Sequence, residues 1–294
     1  MTIALKGSYQ PSIHRFSLGS GEVTTVLDGS HLRDLINPPF VMDKTEDEIL
    51  KIAKANRLPI MGFENTYTPT VLSMAGQVVL FDTGFGAMGR DNHAGNLRRR
   101  LGVAGYAPED IDVVAFTHCH TDHIAGVMEG GAPAYPNARY VIGRREFDCW
   151  SDGSEIPSQR AQNHEMFLKL ISPLAERMTF LEDGDSVISG LTAQAAFGHS
   201  LGHMMYFVES EGQSILIWGD VANHFVFSVQ YPSSPVGFDD DRHMAIATRK
   251  RVLDMVATDG LLVSGHHMPF PSVGYVEYHK DSYRWIPAAY QLRL

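Results

Sequence analysis

Residues 117–123 read THCHTDH, which places three histidines, His118, His120 and His123, and one carboxylate, Asp122, within six consecutive positions. Imidazole nitrogen is the commonest protein metal ligand, and carboxylate oxygen is its usual companion around zinc. The run follows IDVVAFT (111–117), an apolar, β-branched stretch that reads as a buried strand. In extended backbone, residues two apart face the same side, so His118 and His120 can reach one metal. Asp122 and His123 come as the chain turns toward a short helix at HIAGVME, and they aim at a second point a few ångströms away.

The same placement recurs further on. AAFGHSLGHMMYF offers His199 and His203 after a strand at 191–197. ILIWGDVAN offers Asp220 behind a glycine that permits close backbone approach, and LLVSGHHMPFP ends a strand at His266 and His267. Of fourteen histidines, eleven lie at or after residue 118; ordinary surface histidines would not collect at strand ends. His14, His31, His93, His164 and His279 show no such pattern and read as surface or packing residues, and His243 in FDDDRHMA falls outside the site. Cys119, between two ligands, should point away from the metals and pack.

These side chains need a scaffold of strands. HRFSLGSGEVTTVLDG reads as two strands around a Gly-Ser-Gly turn, and TPTVLSMAGQVVLFDTG as a hairpin with strands at 69–74 and 78–82. Thr45 and Glu48 form a capping box ahead of an amphipathic helix. NLRRRLGVAG is a helix closed by glycine, ARYVIG a strand, and RREFDCW and SQRAQNHEMFLKLISPL are helical. Short strands follow at 178–181, 186–188, 191–197, 204–209 and 214–218, then a helix over 240–257 and a β-rich aromatic tail. Two sets of strands with helices between and after them predict two packed sheets with helices outside. No linker divides the chain, so residues 1–294 are expected to form one domain.

Composition sets further bounds. Apolar residues make up 44% and charged residues 20%, ordinary for a globular chain. A net charge of -10 without a basic block argues against nucleic acid as a partner. The first residues show no basic segment followed by a long apolar run, and no apolar stretch reaches transmembrane length. Two cysteines without a CxxC fit a cytoplasmic protein without a disulfide framework.

Taken together, LFDTGFG, THCHTDH, GHSLGH, WGD and HHMPFP resemble the dinuclear hydrolases of the metallo-β-lactamase fold, over nearly the whole chain. YPNARYVIGRREFDCW, FGHSLGHMMYFVES, SVQYP and the tail HMPFPSVGYV…YRWIPAAY are similar to the branch holding methyl parathion hydrolase and related lactonases. The resemblance implies a four-layered αββα sandwich. It implies that His118, His120 and His199 hold one metal, that Asp122, His123 and a tail histidine hold the other, and that Asp220 bridges. Alignment of HMPFP favours His267 as that ligand, with His266 the alternative; if the strand continues, their side chains diverge and only one of them joins the centre. His203 and Asp82 would support the ligands. Trp150 matches a pocket aromatic by spacing, Met88 stands near another, and His224 and Phe225 follow the bridging aspartate closely enough to border the pocket. Homoserine lactonases place a substrate-assisting tyrosine three residues after that aspartate; here the residue is Asn223, and the loop is about two residues longer than in methyl parathion hydrolase.

The implied chemistry is hydrolysis by a hydroxide shared between two divalent metals, which lower the pKa of water to about 7. Zinc is the first choice, with manganese, iron or cobalt compatible with the same ligands. Asp220 and Asp122 would be the catalytic carboxylates. A partly apolar pocket suits a lactone or carboxylic ester, with phosphotriester hydrolysis as a secondary activity. A glyoxalase II-like thioesterase shares the ligands, and a closed, fully liganded site would instead mark a non-catalytic metal-binding protein. Relatives of this kind often pair, so a homodimer is one assembly the resemblance allows.

Overall fold

Alternating burial along the strands sets the layers of the fold. The computed structural model describes residues 11–36 and 40–289. The residues read for a leader begin outside this range, as does the last aromatic of the tail, Tyr290. In chain order the strands are β1 (Ile13–Leu18), β2 (Gly21–Val26), β3 (Gly29–Arg33), β4 (Phe63–Tyr67), β5 (Thr70–Met74), β6 (Gln77–Phe81), β7 (Val113–Ala115), β8 (Met128–Glu129), β9 (Ala132–Pro133), β10 (Arg139–Gly143) and β11 (Met178–Leu181). The second half adds β12 (Ser186–Ile188), β13 (Leu191–Ala195), β14 (Met204–Ser210), β15 (Gln213–Ile217), β16 (Leu262–Ser264), β17 (Val273–His279) and β18 (Ser282–Pro287). The helices are α1 (Glu46–Ala55), α2 (Leu97–Ala104), α3 (Thr121–Ile124), α4 (Arg144–Asp152), α5 (Ala161–Leu170), α6 (Phe227–Gln230) and α7 (Arg242–Asp259).

One seven-stranded sheet runs β1-β2-β5-β6-β7-β10-β11 and the other runs β12 through β18 in sequence order. Side chains on neighbouring positions part to opposite faces. In the first sheet Leu72, Val79, Phe81, Val113 and Val141 face the second sheet, where they meet Leu191, Tyr206, Ile215 and Ile217. Their neighbours Val71, Leu80, Val114, Tyr140 and Ile142 face outward onto Leu97 and Leu101 of α2, Trp150 of α4 and Phe167 of α5. In the second sheet Met205, Leu216, Trp218 and Val263 face Val252, Leu253 and Val256 of α7. Helix, sheet, sheet, helix is the expected αββα order. Each fully buried aliphatic or aromatic side chain contributes roughly 1.5–3 kcal/mol relative to exposure, so the three apolar interfaces between these four layers carry the stability.

The direction of the strands positions the site. β6, β7 and β10 run parallel to one another, and β13, β15 and β16 run in a common direction in the other sheet. Their carboxyl ends meet where the sheets are stitched together. There Met204 N donates to Thr117 O (2.8 Å), Thr68 N to His266 O (3.1 Å) and the Tyr206 hydroxyl to Phe116 O (2.6 Å). The Thr45–Glu48 capping box starts α1 as expected. The hairpin of β3 and β4, unanticipated in the sequence, forms a separate two-stranded sheet. Among the described residues no helix is long and apolar enough to cross a membrane.

Candidate metal centre

The loop after β7 carries His118 and His120, and the loop after β13 carries His199. Ligand atoms of these three buried imidazoles lie within 4.8 Å of one another, and His120 Nδ1 stands 3.0 Å from His199 Nε2. A second group brings Asp122 and His123, at the start of α3, together with His266 and His267 after β16. Asp220, after β15, lies between the groups. Its Oδ2 is 3.2 Å from His199 Nε2 and 2.9 Å from His267 Nε2, and its Oδ1 is 3.5 Å from His123 Nε2.

Both tail histidines turn toward this second group, against the expectation that they would diverge. β16 stops at Ser264 and residues 265–271 form a turn, so strand alternation does not apply. The two rings differ in their surroundings. His267 Nδ1 donates to Thr66 O (2.9 Å), which leaves Nε2 as a lone pair facing Asp220 and Asp122 (3.4 Å). His266 Nε2 is farther from Asp122, at 3.8 Å, and its ring packs 4.0 Å from that of His123.

His120, His123, His199, His267 and Asp220 are held from behind, as metal-binding histidines generally are. Asp82, just past β6, accepts from Thr117 N (2.8 Å) and Thr117 Oγ1 (2.9 Å), and its Oδ2 lies 2.8 Å from His123 Nδ1. His203 Nε2 accepts the Asp220 N–H (3.0 Å). Gly219 permits that approach: a Cβ there would sit 2.7 Å from His203 Nε2. Sequence reasoning missed the next three carboxylates. Asp239 joins His199 Nδ1 (3.0 Å) to the buried Arg249 (2.7 Å), and Asp240 joins His120 Nε2 (3.0 Å) to Arg160 (2.8 Å). Glu146 of α4, fully buried, accepts from Cys119 N (2.7 Å), Trp150 Nε1 (2.8 Å), Ser200 Oγ (2.6 Å) and Gly202 N (2.8 Å). It thereby ties both loops of the three-histidine group to α4. Gly202 has no room for a side chain, since a Cβ would lie 2.1 Å from Glu146 N.

The electrostatics separate the histidines. Burial would lower His123, but Asp122, Asp82 and Asp220 outweigh it and hold the imidazole well above its usual range. His199 is likewise raised against burial, to about 9, by Asp220 and Asp239. Burial and the Arg160 charge push His120 down to about 4, and burial and neighbouring His123 push His118 well down. Buried His118 Nε2, His123 Nε2 and Asp220 Oδ1 have no hydrogen-bond partner. Unsatisfied polar atoms of this kind are costly; here they converge on two points with nitrogen and oxygen donors, so the residues fit two divalent cations.

A family profile described as the metallo-beta-lactamase superfamily matches residues 70–243, more than half of the chain. The chain belongs to the metallo-β-lactamase superfamily. A solved hydrolase of that superfamily, AbOPH, superposes with a TM-score of 0.89 at 24% identity, covering 97% of this chain and all of the other. The dizinc quorum-quenching lactonase AidC, solved with a product, superposes with a TM-score of 0.87 at 23% identity over 95% of this chain and 98% of AidC. An N-acyl homoserine lactonase of Bacillus cereus is 25% identical over 163 residues, 55% of this chain and 58% of that protein. The chain thus spans under two thirds of the length of the curated relatives it matches.

Within this metallo-β-lactamase frame, a cavity of about 280 Å³ opens onto His120, Asp122, His199, Asp220 and His267. Its walls are Arg33, Phe40, Asn65, Tyr67, Phe85, Thr121, Arg160, Asn223 and Phe238. None of the four wall residues read from the sequence is among them. Trp150 is fully buried in the core beneath α4, where its indole N–H serves Glu146. Met88 is 58% exposed on the short helical turn over Gly86–Asn92. His224 turns inward to Phe40, Phe63 and Phe227, and its Nδ1 accepts from Val226 N and Phe227 N. Phe225 stacks on His224. The β3–β4 hairpin supplies Arg33, Asn65 and Tyr67, and Asp28 fixes Phe85 by accepting its N–H (3.1 Å). Because that hairpin was not read from the sequence, neither was the wall. Cys119 packs in the core as expected.

Proposed function

We propose that the protein is a dinuclear metal-dependent hydrolase of lactones or carboxylic esters. The supporting observation is the cavity that borders both ligand groups: it leaves room for substrate and water, which a closed structural site would lack. In this reading His118, His120 and His199 hold one cation, Asp122, His123 and His267 the other, and Asp220 bridges. Zinc suits this nitrogen-rich set. His267 is preferred to His266 because the Thr66 carbonyl fixes its tautomer and the ring faces the cavity.

Divalent cations held by these residues would supply a water of lowered pKa and polarise the electrophile. The chain's own residues orient the rest. Asn223 Nδ2 donates to Asp220 Oδ2 (3.1 Å), which fixes the carboxylate best placed to accept a proton as the tetrahedral centre forms. Asp122, flanked by His123 and His267, is the second acidic group at the cavity floor. Phe40, Phe85 and Phe238 exclude water from the bond to be cleaved. The AidC and Bacillus relatives are lactonases by name, which supports a lactone over a simple ester. Two free cysteines fit a reducing, cytoplasmic setting.

The test is a panel of lactones, aryl esters, phosphotriesters and glutathione thioesters offered to the zinc-loaded protein. Lactone or ester turnover should dominate and vanish on chelation. Dominant thioester turnover would reassign the protein to glyoxalase II-like chemistry, and no turnover with both metals bound would favour a non-catalytic role.

A further inference from the structure

Among the described residues, Arg33 is a cation on the cavity wall without a counter-ion. The other wall arginine, Arg160, is paired with Asp240, and the two carboxylates at the floor, Asp122 and Asp220, are the groups that would face the cations. Among the described residues Arg33 has no ion pair; Nη2 donates to the Tyr67 hydroxyl (3.1 Å), and the buried Nε has no partner. Tyr67 is fixed in turn: its hydroxyl lies 3.0 Å from His31 Nδ1, and its ring packs edge-on against Phe85 and His267. The guanidinium is therefore held one tyrosine away from the metal-facing histidine. An unpaired guanidinium in a partly apolar cleft is a strong site for a carboxylate, through charge-assisted, two-pronged hydrogen bonds. The cavity, at about 280 Å³, lies just below the usual small-molecule range of roughly 300–1,000 Å³, so that carboxylate belongs to a small substrate.

We infer that Arg33, braced by Tyr67, forms an anion subsite that selects small lactones or esters carrying a carboxylate away from the bond to be cleaved. This rests on the hydrolase reading above and narrows its substrate class. A role confined to holding Tyr67 would affect all substrates alike, whereas an anion subsite affects charged substrates well beyond neutral ones.

The experiment uses the zinc-loaded protein, γ-caprolactone, and the same lactone ring bearing an acetate arm in place of the ethyl arm. Wild type should favour the acidic lactone. R33Q should raise KM for it by about 10- to 100-fold more than for γ-caprolactone, the scale of one hydrogen bond to a charged group. R33K, which keeps the charge and loses the fork, should fall between. Equal loss on both lactones, or a wild-type preference for γ-caprolactone, would overturn the subsite while leaving the lactonase reading intact. If neither lactone is opened, the hydrolase reading fails for this class, and the subsite is decided by calorimetry with the two ring-opened products. Tighter binding of the dicarboxylate, abolished in R33Q, supports it; equal binding overturns it.

Discussion

Asp220 and Asp82 do different work although both are buried carboxylates beside His123. Asp220 reaches both histidine groups through its two oxygens, the position from which the proposed bridge between two cations would be made. Asp220→Ala should therefore lower metal content and turnover together; full activity with two metals retained, by elemental analysis, would refute the bridging role. Asp82 acts through His123 and Thr117. Asp82→Asn should cost roughly 10–100-fold in metal affinity or activity, the usual range for a partner behind a ligand. The tail pair gives a sharper comparison. His267→Ala should lose one metal, whereas His266→Ala should keep both, because only His267 combines a fixed tautomer with a place on the cavity wall. The opposite pattern in metal analysis would exchange their roles.

At the level of the elements, α4 holds the three-histidine centre through Glu146. Four groups from three segments donate to one carboxylate that forms no ion pair among the described residues, and burial pushes its pKa up. Glu146→Ala would strand buried donors at roughly 1–3 kcal/mol for a buried group left unsatisfied. The loaded protein should then unfold at lower urea and bind its first metal more weakly, with Glu146→Gln recovering part of the loss; an unchanged urea midpoint would show that the loops hold themselves. Trp150→Phe should lower stability by about 1 kcal/mol for the lost hydrogen bond and leave KM unchanged, because the ring lies in the core. Strand-end ligands were legible in the sequence because alternation and Gly-bounded strands fix where a loop begins. The supports were less legible: Glu146, Asp239 and Asp240 act on loops 27 to 120 residues away, and no local pattern marks such pairs. The walls were missed for a related reason. β3 and β4 pair with each other across the segment that contains α1, so their residues reach the cavity only through tertiary structure.

For the whole molecule, the metals and the fold are linked through protons. Without metal, His199 and His123 are held protonated by buried carboxylates, with folded pKa values above the ordinary 6.5. A raised histidine contributes stability that is complete below pH 6.5 and is lost as pH rises through its folded value, about 9 for His199. His118, His120, His203, His224 and His266 have the opposite sign, burial being the leading cause for each. Their contribution is present above 6.5 and is lost as pH falls through their depressed values, about 4 for His120 and about 3 for His224. The chelated protein should therefore show a Tm that falls on both sides of a maximum near pH 6.5. Metal loading should flatten the alkaline limb, because cations replace the protons on His199 and His123 and take over the neutralisation of Asp220 and Asp122. Loading at pH 7 should release up to about two protons per chain, read by calorimetry in buffers of different ionisation enthalpy. An alkaline limb that is the same with and without metal, together with no proton release, would mean that these histidines are neutral before metal arrives.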